Sequence, residues 1–105
     1  MRSSDPRATF CRRLLEARVT AGLSQKQLGI KAGLDPFVAS TRVNRYEVGV
    51  HEPDLNMAGR LAKAAGVPLA YLYAEDDQLA AMILLYTKQS KREQRALFQE
   101  LEQSR

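Results

Sequence analysis

Little in this chain can hold a metal or a cross-link. A single cysteine, Cys11, excludes an internal disulfide, and the single histidine, His51, lies 40 residues further on. Neither a zinc site nor a Cys/His catalytic pair is expected from one of each. Long apolar runs are missing as well: the longest, at 79–85, falls far short of the ~18 residues of a membrane-crossing helix. The start of the chain has no apolar leader core and carries Asp5, Arg7, Arg12 and Arg13, so secretion is not expected and a cytoplasmic location is. Sustained strand alternation and Asn-Gly or Asp-Gly hairpin turns are absent. So are a Gly-rich phosphate loop, a Gly-x-Ser-x-Gly elbow and metal-ligand spacing. Asp76 and Asp77 are adjacent, and adjacent helix positions point in different directions, so they read as a helix cap rather than a catalytic pair. No enzyme activity, cofactor, metal or small-molecule ligand is expected.

What is present is charge on one side and dense helix punctuation. The 105 residues suit one domain and leave no room for two independent cores. The net charge of +4 is carried wholly by residues 1–53, which hold nine Lys or Arg against five Asp or Glu; residues 54–105 hold seven of each. One-sided basic charge suits a polyanionic partner, nucleic acid first among them, or is simply a mildly basic surface. Asp5-Pro6 opens a first helix with Phe10, Leu14, Ala17 and Ala21 on one stripe, stopped by Gly22. Ser24 with Gln27 forms a capping box for a second, bearing Leu28 and Ala32 and ended by Gly33. Asp35-Pro36 opens a third by the device used in the first, closed by Gly49. Pro53-Asp54 opens a fourth with Leu55, Ala58, Leu61, Ala62 and Ala65 inward. Pro68 begins a short fifth with Leu69, Leu72 and Tyr73. Glu75, Asp76 and Asp77 precede a sixth over roughly 78–88, and Ser90 with Glu93 boxes a last helix to about Gln103.

The centre resembles a known family. Leu23-Ser24-Gln25-Lys26-Gln27-Leu28-Gly29-Ile30-Lys31-Ala32-Gly33, with Arg18 and Gly22 before it, is similar to the start of a phage-repressor-like (Cro-like, XRE) helix-turn-helix. Asn44-Arg45-Tyr46-Glu47-Val48-Gly49, and Pro53 through Leu61-Ala62-Lys63-Ala64-Ala65-Gly66-Val67-Pro68-Leu69, continue the likeness across about Leu14–Tyr73. The resemblance implies an all-α, five-helix repressor-like bundle that binds double-stranded DNA through its third helix in the major groove. It implies that Gln25 holds a phosphate and braces that helix. It also implies that Arg18 on helix one meets Glu47 at the end of helix three as a structural ion pair, whose disruption costs about 3–5 kcal/mol if burial is complete. His51 falls where the family touches backbone phosphate, and equally where a surface loop histidine needs no role.

The third helix departs from the family pattern. Gly33 and Gly49 are 16 residues apart, about four more than usual, and four residues is close to one helical turn. A third helix lengthened by one turn is the simplest expectation. At about 100° per residue with Val43 inward, Pro36, Ala39 and Tyr46 lie beside it. Thr41 and Arg45 then face outward, flanked by Phe37, Val38 and Asn44, with Ser40 and Arg42 at the edges. Arg suits guanine, Asn suits adenine and apolar groups suit thymine methyls. Gln25, Phe37, Ser40, Thr41, Arg42, Asn44 and Arg45 are therefore the candidate DNA contacts, with Phe37 alternatively packing back under the turn. Lys26 and Lys31 read equally well as solvated charges, and Cys11 as a small hydrophobe.

A helix-turn-helix domain over residues 1–74 leaves a C-terminal extension at 75–105. Its apolar positions, Met82, Ile83, Leu85 and Tyr86 on one helix and Leu97, Phe98 and Leu101 on the other, exceed what a solvated tail needs. A homodimer joined there is the expectation, against a hairpin folded back on its own domain. The expected function is a sequence-specific transcription regulator, a repressor on a palindromic operator. The alternative is an interaction adaptor that keeps the fold without the DNA surface.

Overall fold

A computed structural model describes residues 5–104. Met1–Ser4 and Arg105, which fall at the ends of the two expected regions, lie outside the described residues. Seven helices and no strand make up the described chain: α1 (Pro6–Thr20), α2 (Gln25–Lys31), α3 (Ala39–Val48), α4 (Leu55–Ala65), α5 (Leu69–Tyr73), α6 (Asp77–Thr87) and α7 (Lys91–Gln103). Side-chain oxygens start most of them. Asp5, Ser24, Asp54, Asp76 and Ser90 accept from backbone N–H groups of the first turns, and the capping boxes at Ser24–Gln27 and Ser90–Glu93 close in both directions.

The core lies among α1 to α5. Phe10, Leu14 and Ala17 of α1 meet Leu28 and Ala32 from the second helix and its cap. Ala39, Val43 and Tyr46 of α3 join Ala58, Leu61 and Ala62 of α4 and Leu72 of α5. Gly29 sets how closely α2 and α3 cross. A Cβ there would stand 2.7 Å from Ala39 Cβ and 3.0 Å from its Cα and carbonyl oxygen, which cannot swing aside.

Arg13 ties α1 to the start of the extension. Its buried guanidinium donates to the carbonyls of Ala74 (2.9 Å) and Glu75 (3.3 Å) and to Asp77 Oδ1 (3.0 Å), and lies over the Tyr71 ring. Arg12 reaches the same Asp77 oxygen at 3.2 Å. Beyond this clamp burial stops: Ala80 is the one buried residue of α6, Ile83 and Leu84 are half-buried, and α7 has no buried residue. The molecule measures 51 × 33 × 22 Å.

The structure corrects several sequence expectations. The third helix is not lengthened. It begins at Ala39, and the extra residues form a turn across Pro36–Val38. Asp35 does accept from the chain ahead, but from Phe37 N at 2.8 Å within this turn, and Val38 at the helix cap has no side-chain cap bond. Pro36 is exposed rather than inward. A helix begun there would put Pro36 on the stripe of Val43, whereas the core takes Leu34 and Ala39 from either end of the turn instead. Ala21, Leu55 and Tyr73 are also exposed. Ala21 is the C-cap of α1 and Leu55 is the first residue of α4, so neither has a full turn of neighbours to cover it.

Candidate nucleic-acid interface

The third helix divides cleanly. Its 3.6-residue period sends Ala39, Val43 and Tyr46 into the core. Ser40, Thr41, Arg42, Asn44 and Arg45 are exposed. Ser40, Thr41, Asn44 and Arg45 make no side-chain hydrogen bond or ion pair with any described residue. Arg42 differs: it donates to Tyr46 Oη at 2.7 Å and sits 5.8 Å from that ring's centroid, so its guanidinium is held against the helix. The Arg/Tyr spacing of four residues was the available signal for this contact.

A buried charge pair fixes α3 against α1. Arg18 Nε donates to Glu47 Oε2 at 2.6 Å and Nη2 to Oε1 at 3.2 Å, while Nη1 donates to the Leu23 carbonyl at 3.0 Å. The side chains are only 14% and 4% exposed, so the fork-to-fork geometry operates away from water. Gln25 joins from α2, its Nε2 donating to Glu47 Oε1 at 3.0 Å. Three helices thus converge on one carboxylate. The hydrogen bond from Gln25 to Glu47 has no signature in local sequence pattern, because it joins residues 22 positions apart.

Gly49 ends α3 in the left-handed region at φ 83°, which a side chain rarely adopts. The chain then doubles back, and the N–H groups of Gly49, Val50 and His51 all reach the Arg45 carbonyl. His51 is exposed in this loop. Arg7 Nη2 donates to the Gly49 carbonyl at 3.0 Å, and the Cys11 thiol donates to the Tyr46 carbonyl at 3.2 Å. Burial pushes the Cys11 thiol above its ordinary pKa, with the Arg7 charge opposing. Phe37 does not pack under the turn: it is 97% exposed, next to the half-covered Val38. Among the described residues no group of His, Cys, Asp and Glu could hold a metal ion, and no helix is long and apolar enough to cross a membrane.

Two short crossed helices, the second with a buried apolar stripe and an open polar face, define a helix-turn-helix DNA-binding domain. The chain belongs to the helix-turn-helix family of the Cro/C1 (XRE) type, whose model matches residues 14–72. It is similar to the crystal structure of the transcriptional regulator BswR, with 42% sequence identity and a TM-score of 0.83 over 89% of this chain and 92% of that one. No curated protein matches it.

Proposed function

We propose that this protein is a transcription regulator that binds a palindromic operator as a homodimer, each copy laying α3 in the major groove and acting as a repressor by occupying the site. The observation that carries this reading is the open face of α3. Ser40, Thr41, Asn44 and Arg45 offer hydroxyl, amide and guanidinium groups that have no intramolecular use and that match base edges. An adaptor that only kept the fold would need no such face. Gln25 uses one amide N–H on Glu47 and has a second for a phosphate oxygen, which fixes register without reading sequence. Arg42, held on Tyr46, has further N–H groups for the backbone.

Dimerisation is supported by the extension. Leu79, Met82, Leu85 and Tyr86 of α6 and Phe98 and Leu101 of α7 are each 40–59% exposed, more apolar surface than two helices packed on their own domain would leave open. Two copies joined there would present reading helices about one DNA turn apart, ~34 Å. The test is selection of bound fragments from a random DNA pool, with sedimentation at tens of micromolar. An inverted repeat with half-sites about one turn apart, bound by a dimer, is expected. Enrichment of no sequence, or a monomer both free and on DNA, overturns the reading.

A further inference from the structure

We infer that Phe37 reads the C5-methyl group of a pyrimidine, thymine in ordinary DNA, at the edge of each half-site; this rests on the operator-binding reading above. Phe37 is the most exposed large apolar residue of the described chain at 97%, and nothing in its own fold uses it. Yet the backbone that carries it is held firmly. Leu34 and Ala39 are buried on either side of the turn. Asp35 Oδ1 accepts from Phe37 N at 2.8 Å, and the Asp35 carbonyl accepts from Val38 N at 3.0 Å. Pro36 fixes its own φ within the turn. With the backbone fixed, only the two side-chain torsions of Phe37 remain to be ordered on binding.

Its place decides what it meets. Phe37 lies two residues before the first turn of α3, and the N-terminal part of a reading helix is the part that approaches base edges. The hydrogen-bonding groups of that face, Ser40, Thr41, Asn44 and Arg45, all lie C-terminal to it. The apolar pair Phe37 and Val38 extends the face at its N-terminal end, beside the exposed Asp35, whose Oδ1 accepts from Phe37 N. On the major-groove floor the apolar counterpart is the thymine C5-methyl, and no other natural unmodified base presents one. The turn that displays Phe37 exists because the α2–α3 connection has its extra residues there rather than in the helix.

The experiment replaces each thymine of the selected operator, one at a time, by deoxyuridine, which removes only the methyl. Binding is measured for the wild type and for Phe37→Ala, with a thermal melt of the variant as a folding control. The wild type is expected to lose about fourfold in affinity at one thymine per half-site, the value of one buried methyl. Phe37→Ala is expected to lose a similar factor on the unmodified operator and to be indifferent to uridine at that same position alone. Cytosine placed there should bind more weakly than 5-methylcytosine by the same factor. Equal uridine sensitivity in Phe37→Ala and wild type, or none at any position of a sequence the protein does select, overturns the proposal while leaving operator binding intact. Failure to enrich any sequence overturns both together.

Discussion

Residues 5–74 and 75–104 are both mostly helical and yet differ in what holds them. The first region buries seventeen apolar side chains, from Phe10 to Ala74; the second adds Ala80 alone. Its helices are nevertheless well capped, and α7 carries a complete capping box at Ser90 and Glu93, where the hydrogen bonds from Ser90 hold the Glu93 carboxyl below its ordinary pKa. Caps decide where a helix starts, whereas packing of an apolar face decides whether it lasts. The first region has both within one chain. The second has the caps and half-exposed apolar side chains with almost no core of its own.

Substitutions can break this contrast. Arg18→Ala should destabilise the bundle most, by about 3–5 kcal/mol, because it leaves the Glu47 carboxylate buried with only Gln25 for company. Urea denaturation measures it; a cost below 1 kcal/mol would show that the pair is solvated. Leu61→Ala should follow, at about 2–5 kcal/mol, since Leu61 is fully buried. Leu85→Ala, the same change on the exposed face of α6, should cost no more than about 0.5 kcal/mol in dilute monomer and instead weaken self-association. Equal costs for the two leucines would erase the distinction between the regions. Gly29→Ala should cost about 1–3 kcal/mol through overpacking against Ala39, with Ala39→Gly restoring part of the loss in the double variant.

Smaller effects test the interface. Arg45→Ala should leave the melting curve within about 0.5 kcal/mol of wild type. It should cost about 1–3 kcal/mol of operator binding and flatten preference at one base pair, read by titration against single-base variants. The smallest effect concerns Cys11. Its raised pKa means less thiolate at neutral pH, so alkylation should run slower than for free cysteine and accelerate only above the ordinary thiol range.

Most helix starts were legible in the sequence because they depend on local chemistry. An Asp or Ser accepting from the next turn works within four residues, and those at Asp5, Ser24, Asp54 and Ser90 sit where pattern alone places them. Asp35 shows the limit of that logic. The same carboxylate can close a turn or start a helix, and only the demand that Leu34 and Ala39 both reach the core selects the turn. The outward positions of Thr41, Asn44 and Arg45 follow from Val43 facing inward, so the error in helix length left them unchanged. Arg13 carried no comparable sign. A basic residue on α1 reads as solvated until the Ala74 and Glu75 carbonyls, more than sixty residues away, are brought over it.

The division of α3 also bears on how such a protein can change over generations. Ala39, Val43 and Tyr46 answer to the core, and Gly29 opposite cannot accept even one added methyl without displacing backbone. Ser40, Thr41, Asn44 and Arg45 answer to nothing inside the molecule, so most replacements there leave folding nearly unaffected. If that face reads DNA, as proposed above, preference for one sequence can drift and diverge on a scaffold under separate selection. On that proposed reading, new targets would be acquired through single substitutions without first evolving extra stability to tolerate them.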